Sequence, residues 1–301
     1  MESLRDIRQN IKAIESTKQI MQTMKMISNA RIRKAQEAMI AARPFAQKML
    51  DMVDDLRPDI LAIPQTEGAA ENVASRFFAN LSGQENKIGL VVITGDKGLT
   101  GSFNAVVLRS TLQFIKQNEG KEIFIFAIGK KGRDFLNRLK MKNLHLVYES
   151  VGIFPKVSYA HAELLGDALL KIFLEEKLFQ VTLIYNDFKS LASQNLVQQQ
   201  ILPFALHNKT RALKERDFEC EPGLFEIFKL LIPRLIKANM YRILLESQAA
   251  NLAATMNAMD SASKNAGELV TALGVKLNKV RQANITNEIL DIVNGAEALN
   301  S

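Results

Sequence analysis

The stretch TGDKGLTGSFN, residues 94–104, has residue types suited to holding a phosphate. It follows the continuous apolar run KIGLVVIT (87–94), which fits a strand buried on both faces, and precedes a helical pattern from Asn104 to Gln117. At such a strand-to-helix turn, backbone N–H groups of a helix N-terminus meet anions, and glycine permits close approach. Gly95, Asp96, Gly98 and Gly101 are the candidate residues. Their spacing spells neither G-x-x-x-x-G-K-[ST] nor G-x-G-x-x-G, so a tight structural turn is the stronger reading of these residues. His145, His161 and His207 are isolated, and none has the i, i+4 spacing of a helical metal pair. Glu175–Glu176 and Asp54–Asp55 are adjacent acids that point apart on a helix, so neither is a carboxylate dyad. No nucleophile elbow occurs. The residues offer no catalytic constellation, and no cofactor or metal site is expected.

The elements that would carry the turn alternate. EIFIFAIG (122–129), LHLVYES (144–150) and FQVTLIYNDF (179–188) read as further strands, and NLVQQQILPF (195–204) as a fifth at an edge. Helical patterns over Lys131–Lys140 and Tyr159–Lys177 separate them. This alternation predicts a mainly parallel α/β sheet over residues 87–205.

At the C-terminal end the period changes. From Leu245 to Val280 the series Leu245, Ala249, Leu252, Met256, Met259, Ser263, Ala266, Val270, Leu273, Leu277, Val280 keeps an unbroken 4-3-4-3 spacing. A heptad seam held this long predicts a helix that supercoils against another helix. It slips by one residue and resumes as Ile285, Ile289, Ile292, Ala296 and Leu299. The first fifty-six residues supply the natural partner: Leu4, Ile7, Ile11 and Ile14 are spaced 3-4-3, and after a slip Ile20, Met24 and Ile27 resume the stripe. Pro44 is expected to kink this first helix and Pro233 the last one. If the sheet turns the chain back, the two helices form a long antiparallel coiled coil. The expected division is a helix over 1–57, a linker over 58–86, the α/β domain over 87–205, a connector over 206–222 and a helix over 223–301.

The hydrophobic content of 47% is sufficient for a core, and no uncharged apolar run reaches the ~20 residues of a membrane-spanning helix. MESLRDIRQN has charges where a signal peptide is apolar, so the protein is expected to stay in the compartment where it is made. The single Cys220 cannot form an internal disulfide, which fits a reducing compartment. The net charge of +7 admits nucleic acid, an anionic membrane surface or an acidic protein. With aromatics at 7% and no Trp, no nucleic-acid reader module is visible, and no nucleic-acid partner is expected. Between Lys18 and Gln36 the first helix carries Lys18, Lys25, Arg31, Arg33 and Lys34 and no acid. That stretch is either a solvated face or a collar that meets something acidic.

Three separated blocks carry a resemblance to a known family. IRQNIKAIESTKQIMQTMKMISNARIRKAQ (7–36) is similar to an N-terminal signature of Thr-x-x-Ile, Met-x-Met and Arg-Lys-Ala. ITGDKGLTGSFN (93–104) resembles a Ser/Thr-Asp-Arg/Lys-Gly-Leu-x-Gly-x-x-Asn turn. Residues 244–299 follow Glu-Ser, Met-x-Ala-Met-x-x-Ala, Asn-Lys-x-Arg-Gln-x-x-Ile-Thr-x-Glu and Ile-Val-x-Gly-Ala in order. Together they resemble the gamma subunits of bacterial-type F-type ATP synthases. The resemblance implies N- and C-terminal helices in an antiparallel coiled coil that flank a mainly parallel, Rossmann-like α/β domain. It further implies a non-catalytic rotor at the axis of an alpha–beta hexamer, with the α/β domain meeting the epsilon subunit and the membrane c-ring. Proton flow through the ring would drive ATP synthesis or hydrolysis at the beta subunits.

By motif position the resemblance places Met24 and Lys25 against acidic beta loops, and Arg281 and Gln282 in the contact zone of the C-terminal helix. The basic residues Lys18, Arg31, Arg33 and Lys34 would then complete a partner-facing collar, and the tip Ile285–Leu299 would turn in an apolar bearing. Lys25 stands where many relatives have Glu, and Thr255 where many have Arg. Localisation would be peripheral, on the cytoplasmic face of a bacterial inner membrane. Two readings of the residues compete with this one: a phosphoryl-binding α/β enzyme with helical arms, and a basic coiled-coil adaptor with a nucleotide-binding-like α/β domain.

Overall fold

The structure, a computed structural model, describes residues 3–62, 76–78, 86–154, 156–204, 221 and 223–300. Most of the expected linker and connector, with His207, Cys220 and Pro222, lies outside the described residues. The chain divides into two compact units: residues 1–29 with 255–301, and residues 30–254.

In the larger unit, β1 (Lys87–Ile93), β2 (Glu122–Ile128), β3 (Leu144–Ser150), β4 (Gln180–Phe188) and β5 (Gln194–Leu202) form one sheet in the order β3-β2-β1-β4-β5. β1 pairs in parallel with β2 and β4, and β2 with β3, while β5 runs antiparallel along β4. The sequence explains the order. β1, β2 and most of β4 are apolar along their length and buried on both faces, which suits inner strands of a parallel sheet. β5, QNLVQQQIL, is polar and largely exposed over its first seven residues, and it takes an edge.

Helices α2 (Phe103–Gln117), α3 (Lys130–Leu139) and α4 (Tyr159–Glu175) connect the parallel strands. Ile88, Leu90, Val107, Phe114, Ile123 and Ile125 are among the side chains of the core between sheet and helices. Each fully buried aliphatic side chain of this kind contributes about 1.5–3 kcal/mol. Two histidines have structural places: His145 lies 5.1 Å from the Phe124 ring, and His161 Nδ1 accepts the Ser158 N–H at 3.1 Å to close the α4 capping box.

The terminal helices are α1 (Leu4–Ala62) and α5 (Leu224–Asn300). α1 continues through Pro44 and Pro58 beyond the expected end at residue 57, and α5 continues through Pro233. A proline removes one N–H from the ladder. In α1 the buried Ala46, Met49, Val53 and Leu56 hold the turns around it. Within the larger unit α5 is buried on every side from Ile243 to Ala250, and Leu235, Ile243, Ala249, Ala250 and Ala253 are wholly buried.

In the smaller unit the two helices pair antiparallel. Lys25 meets Asp260, and Lys18 lies against Gly267, so a step of seven residues along α1 matches seven in the opposite sense along α5. The α5 seam is buried at Met259, Ser263 and Ala266 and half-buried at Met256, Val270, Leu273, Leu277 and Val280. Leu252, in the larger unit, is buried too.

The α1 seam differs from its sequence reading. Ile20 and Ile27 are 61% and 46% exposed, whereas Leu4, Ile7, Ile11, Ile14, Lys18, Met21, Lys25 and Ser28 are all buried or half-buried. That series keeps an uninterrupted 3-4 spacing. The heptad never slips; it runs through two lysines and a serine, so following apolarity alone diverted the stripe to an outer face. The same register brings Leu4 level with Arg281, and every residue from Arg281 to Gly295 is exposed. Among the described residues of the smaller unit the tip residues Ile285, Ile289 and Ile292 thus have no helical partner; the side chains of Ala296 and Leu299 lie outside the described residues.

Candidate functional site

The turn after β1 is a hub of its own backbone and side chains. The Asp96 carboxylate accepts N–H groups from Lys130 and Gly152 at 3.0 and 2.9 Å on Oδ1, and from Phe154 at 3.1 Å on Oδ2. Lys130 is the first residue of α3, so Asp96 occupies the anion position at that helix N-terminus. Asn104 Oδ1 accepts the Gly95 N–H at 2.8 Å, and its Nδ2 donates to Lys97 O and Thr100 Oγ1. A side chain on Gly95 would collide with Asn251 of α5, whose Nδ2 lies 2.4 Å from the site of a Cβ. Gly101 is left-handed at φ 56°, and Gly98 stands in open space. The donors that could have cradled a phosphate are engaged by the chain's own carboxylate and amide. Gly95, Asp96 and Gly101 therefore form a docking turn that ties three loops together and packs beside α5.

The most buried charge among the described residues of the larger unit was not among the residues singled out by sequence. Glu246 is 3% exposed on α5 and gathers groups from three elements. Arg242 Nη1 donates to both carboxylate oxygens at 2.8 Å, Tyr185 of β4 donates its hydroxyl at 3.1 Å, and Arg43 of α1 donates at 3.4 Å. Asn239 Oδ1 holds the other edge of the Arg242 guanidinium at 2.9 Å. Burial, then the neighbouring Glu246 charge, pushes the Tyr185 phenol far above its ordinary range, so it remains a donor. One signal was available in the sequence: Glu246 interrupts the apolar run RILLESQAANL four residues after Arg242.

Asp187, two residues beyond Tyr185, faces the same group. Its Oδ1 is buried with no hydrogen-bond partner among the described residues. Burial first, and the Glu246 charge second, raise its pKa above the ordinary 3.8, against Arg43, Arg242 and the Phe188 N–H, which lower it. A raised folded pKa means the folded chain holds the proton more tightly, so stability falls as pH climbs from 3.8 through the folded value. Asp187→Asn is expected to raise the thermal midpoint at pH 7 and to leave it unchanged near pH 3; equal shifts at both pH values would contradict this.

The basic residues divide into two groups. Arg31, Arg33 and Lys34 are exposed and make no ion pair among the described residues. Lys18 and Lys25 are half-buried on the α1 seam and line one polar cavity of about 280 Å³ with Gln22, Asp260, Ser263 and Lys264. They are thus not part of one exposed collar. Lys25 Nζ lies 2.5 Å from Asp260 Oδ1, and Lys264 Nζ lies 3.0 Å from Oδ2. Met24 is half-buried beside them, and Arg281 and Gln282 are exposed on α5 at about the level of Leu4.

Comparisons with known proteins agree on one family. The family model described as ATP synthase matches residues 3–299. The ATP synthase gamma chain of Elusimicrobium minutum is 56% identical over 304 residues, covering 100% of both chains. That of Solibacter usitatus is 37% identical over 299 residues and covers 99% of each. A chain of the Euglena gracilis mitochondrial ATP synthase superposes with a TM-score of 0.68 at 16% identity, over 98% of this chain and 94% of its own. A chain of the Tetrahymena thermophila central stalk and c-ring gives 0.59 at 24% identity, over 81% of this chain and 99% of its own. The two structural likenesses carry the fold, and the sequence relatives carry the kinship. Matched along almost its whole length to these relatives, the chain belongs to the ATP synthase gamma-chain family.

Proposed function

We propose that the chain is the non-catalytic rotor of an F-type ATP synthase, held in the axis of an alpha–beta hexamer and joined through its α/β domain to an epsilon subunit and a membrane c-ring. The observation that carries this reading is 56% identity to a gamma chain over the full length. The architecture supports it: a paired helical shaft has an apolar tip exposed beyond its partner, and a separate sheet unit has its loops tied down by Asp96. The rotor acts by transmitting torque, so its residues hold shape and present contact surfaces to the ring. Met24, Arg31, Arg33, Lys34, Arg281 and Gln282 are assigned to the contact with the beta subunits. Lys18 and Lys25 belong to the same zone. The exposed cations are attracted to acidic loops at several angular positions without one deep well, because pairs in water are worth only about 0–1 kcal/mol each. Among the described residues no helix is long and apolar enough to cross a membrane. We place the chain peripherally, at the cytoplasmic face of a bacterial inner membrane.

Reconstitution with the cognate alpha and beta subunits tests the reading. One copy of the chain is expected to co-elute with a hexamer, with ATPase activity raised well above that of the subunits alone. Separate elution with unchanged turnover would refute it. In membrane vesicles Leu273→Pro, which breaks the helix in the seam at a cost of ~3 kcal/mol or more, is expected to uncouple ATP turnover from proton transport. Intact coupling would count against a torsion-bearing shaft.

A further inference from the structure

At the start of α5, on the side that faces α4, a cavity of about 210 Å³ opens between Phe77, Leu170, Leu174, Phe228 and Ile232, with Lys229 and Pro233 in its wall. It lies wholly within the larger unit, and its lining is almost entirely apolar. Phe77, Phe228 and Ile232 are buried, and Leu170, Leu174 and Pro233 are half-buried. A dry apolar void of ~150 Å³ already holds one benzene ring, so this one has room for a single ring with a substituent. Lys229 brings two polar groups, and they differ. Its ammonium is engaged by its own helix: Nζ lies 3.1 Å from Glu226 Oε1 and 4.3 Å from the centre of the Phe225 ring. Its carbonyl is not so served. The ladder donor due to it is the N–H of residue 233, and proline has none. The carbonyl and the proline that deprives it belong to two residues of one wall.

An apolar pocket with one polar group to satisfy selects its ligand by that group. We infer that this cavity binds one small neutral phenol, with the ring among Phe77, Phe228 and Ile232 and the hydroxyl donating to the Lys229 carbonyl. The walls favour an aromatic body: the Phe77 and Phe228 rings meet edge-on with centroids 6.3 Å apart, an arrangement that a third ring extends. The carbonyl favours a donor. A carboxylate would set acceptor against acceptor and lose its hydration in an apolar lining, and an aliphatic chain would leave the carbonyl unserved. A ring held there braces α4 against α5 at the turn where Pro233 interrupts the ladder. The inference goes beyond the rotor reading and does not rest on it, since every group it uses lies in the larger unit.

Calorimetric titration of the full chain with phenol, toluene and sodium benzoate tests the assignment. Phenol is expected to bind at one site per chain, and benzoate about tenfold more weakly or worse, because it lacks the donor. Pro233→Ala returns an N–H to the Lys229 carbonyl. It is expected to weaken phenol about fivefold while leaving toluene within about twofold, since toluene fills the void without using the carbonyl. Leu174→Trp, which fills the void itself, is expected to abolish binding of both, with the thermal midpoint of the chain showing that the fold is kept. Should that variant unfold, Pro233→Ala still decides. Absence of phenol binding would overturn the inference. Tighter binding of benzoate than of phenol would give the site to the Lys229 ammonium, and an equal loss of phenol and toluene in Pro233→Ala would remove the carbonyl as the anchor; either result overturns it too. None of these outcomes touches the rotor reading, which co-elution with the alpha and beta subunits decides separately.

Discussion

Glu246→Ala is expected to lower the stability of the larger unit by about 3–5 kcal/mol, because removing one partner of a buried ion group leaves the others uncompensated. The arithmetic falls mainly on Arg242 and Tyr185. Arg242 has Glu246 on one side and Asn239 on the other, and it is 23% exposed, so water replaces little of what it loses. Tyr185 is buried on an inner strand and would keep a hydroxyl without an acceptor. Such an orphaned group costs about 1–3 kcal/mol. Arg43 is half-exposed and rehydrates, so it adds little. Urea titration should show the midpoint fall with the slope retained, since the surface exposed on unfolding barely changes. Tyr185→Phe, which removes donor and acceptor need together, should cost clearly less than Glu246→Ala. A loss below ~1 kcal/mol in Glu246→Ala would mean that the three elements are held by apolar packing and that the charge cluster is incidental.

The position of this cluster suits a rotor. It joins α1, β4 and α5 within the unit proposed to take up torque, through bonds with direction as well as strength. Apolar contacts permit sliding, since their energy depends on area rather than on angle. A carboxylate held by a guanidinium fork and a phenol permits much less. The Asp96 turn works in the same way at the C-terminal ends of the strands, where one side chain holds both the start of α3 and the loop that follows β3.

What the sequence showed and what it hid follow from the same physics. Buried parallel strands need apolar side chains on both faces, so 87–93, 122–128 and 180–188 were legible as strands with boundaries good to a residue or two. The polar edge strand was legible because QNLVQQQIL could not be buried on two sides. The coiled coil was legible from α5, whose seam is apolar except at Ser263. It was misread on α1 because Lys18, Lys25 and Ser28 occupy seam positions, and a lysine in a seam is readable only when its partner is known. Asp260 lies about 235 residues from Lys25, and no local pattern encodes that meeting. The same distance in sequence hid Glu246 with Arg43 and Tyr185. The glycine-rich turn was legible as a turn, but its purpose was not, since the N–H groups that fill Asp96 come from Lys130, Gly152 and Phe154.

Gly129→Ala is expected to cost about 3 kcal/mol or more, although Gly129 belongs to no motif. Its φ of 90° with ψ of 143° lies in a region that side chains scarcely adopt, and holding another residue there costs about 1–3 kcal/mol. A Cβ would also stand 2.1 Å from the Thr94 carbonyl oxygen and 2.7 Å from its carbon. Overpacking of that kind adds about 1–3 kcal/mol when the neighbours can yield. Here they cannot retreat easily, because the Thr94 N–H donates to Ile128 O at 2.8 Å and its hydroxyl accepts the Gly132 N–H at 2.8 Å. Gly98, which sits inside the family turn, gives the opposite expectation. Nothing lies within 4 Å of its would-be Cβ, so Gly98→Ala should change stability by less than ~0.5 kcal/mol. Parallel urea titrations of the two variants decide the matter. If Gly98→Ala proved the more damaging, the glycines of the turn would matter through their own backbone freedom. If Gly129→Ala does, the close approach of β1 to the end of β2 is what the larger unit cannot give up.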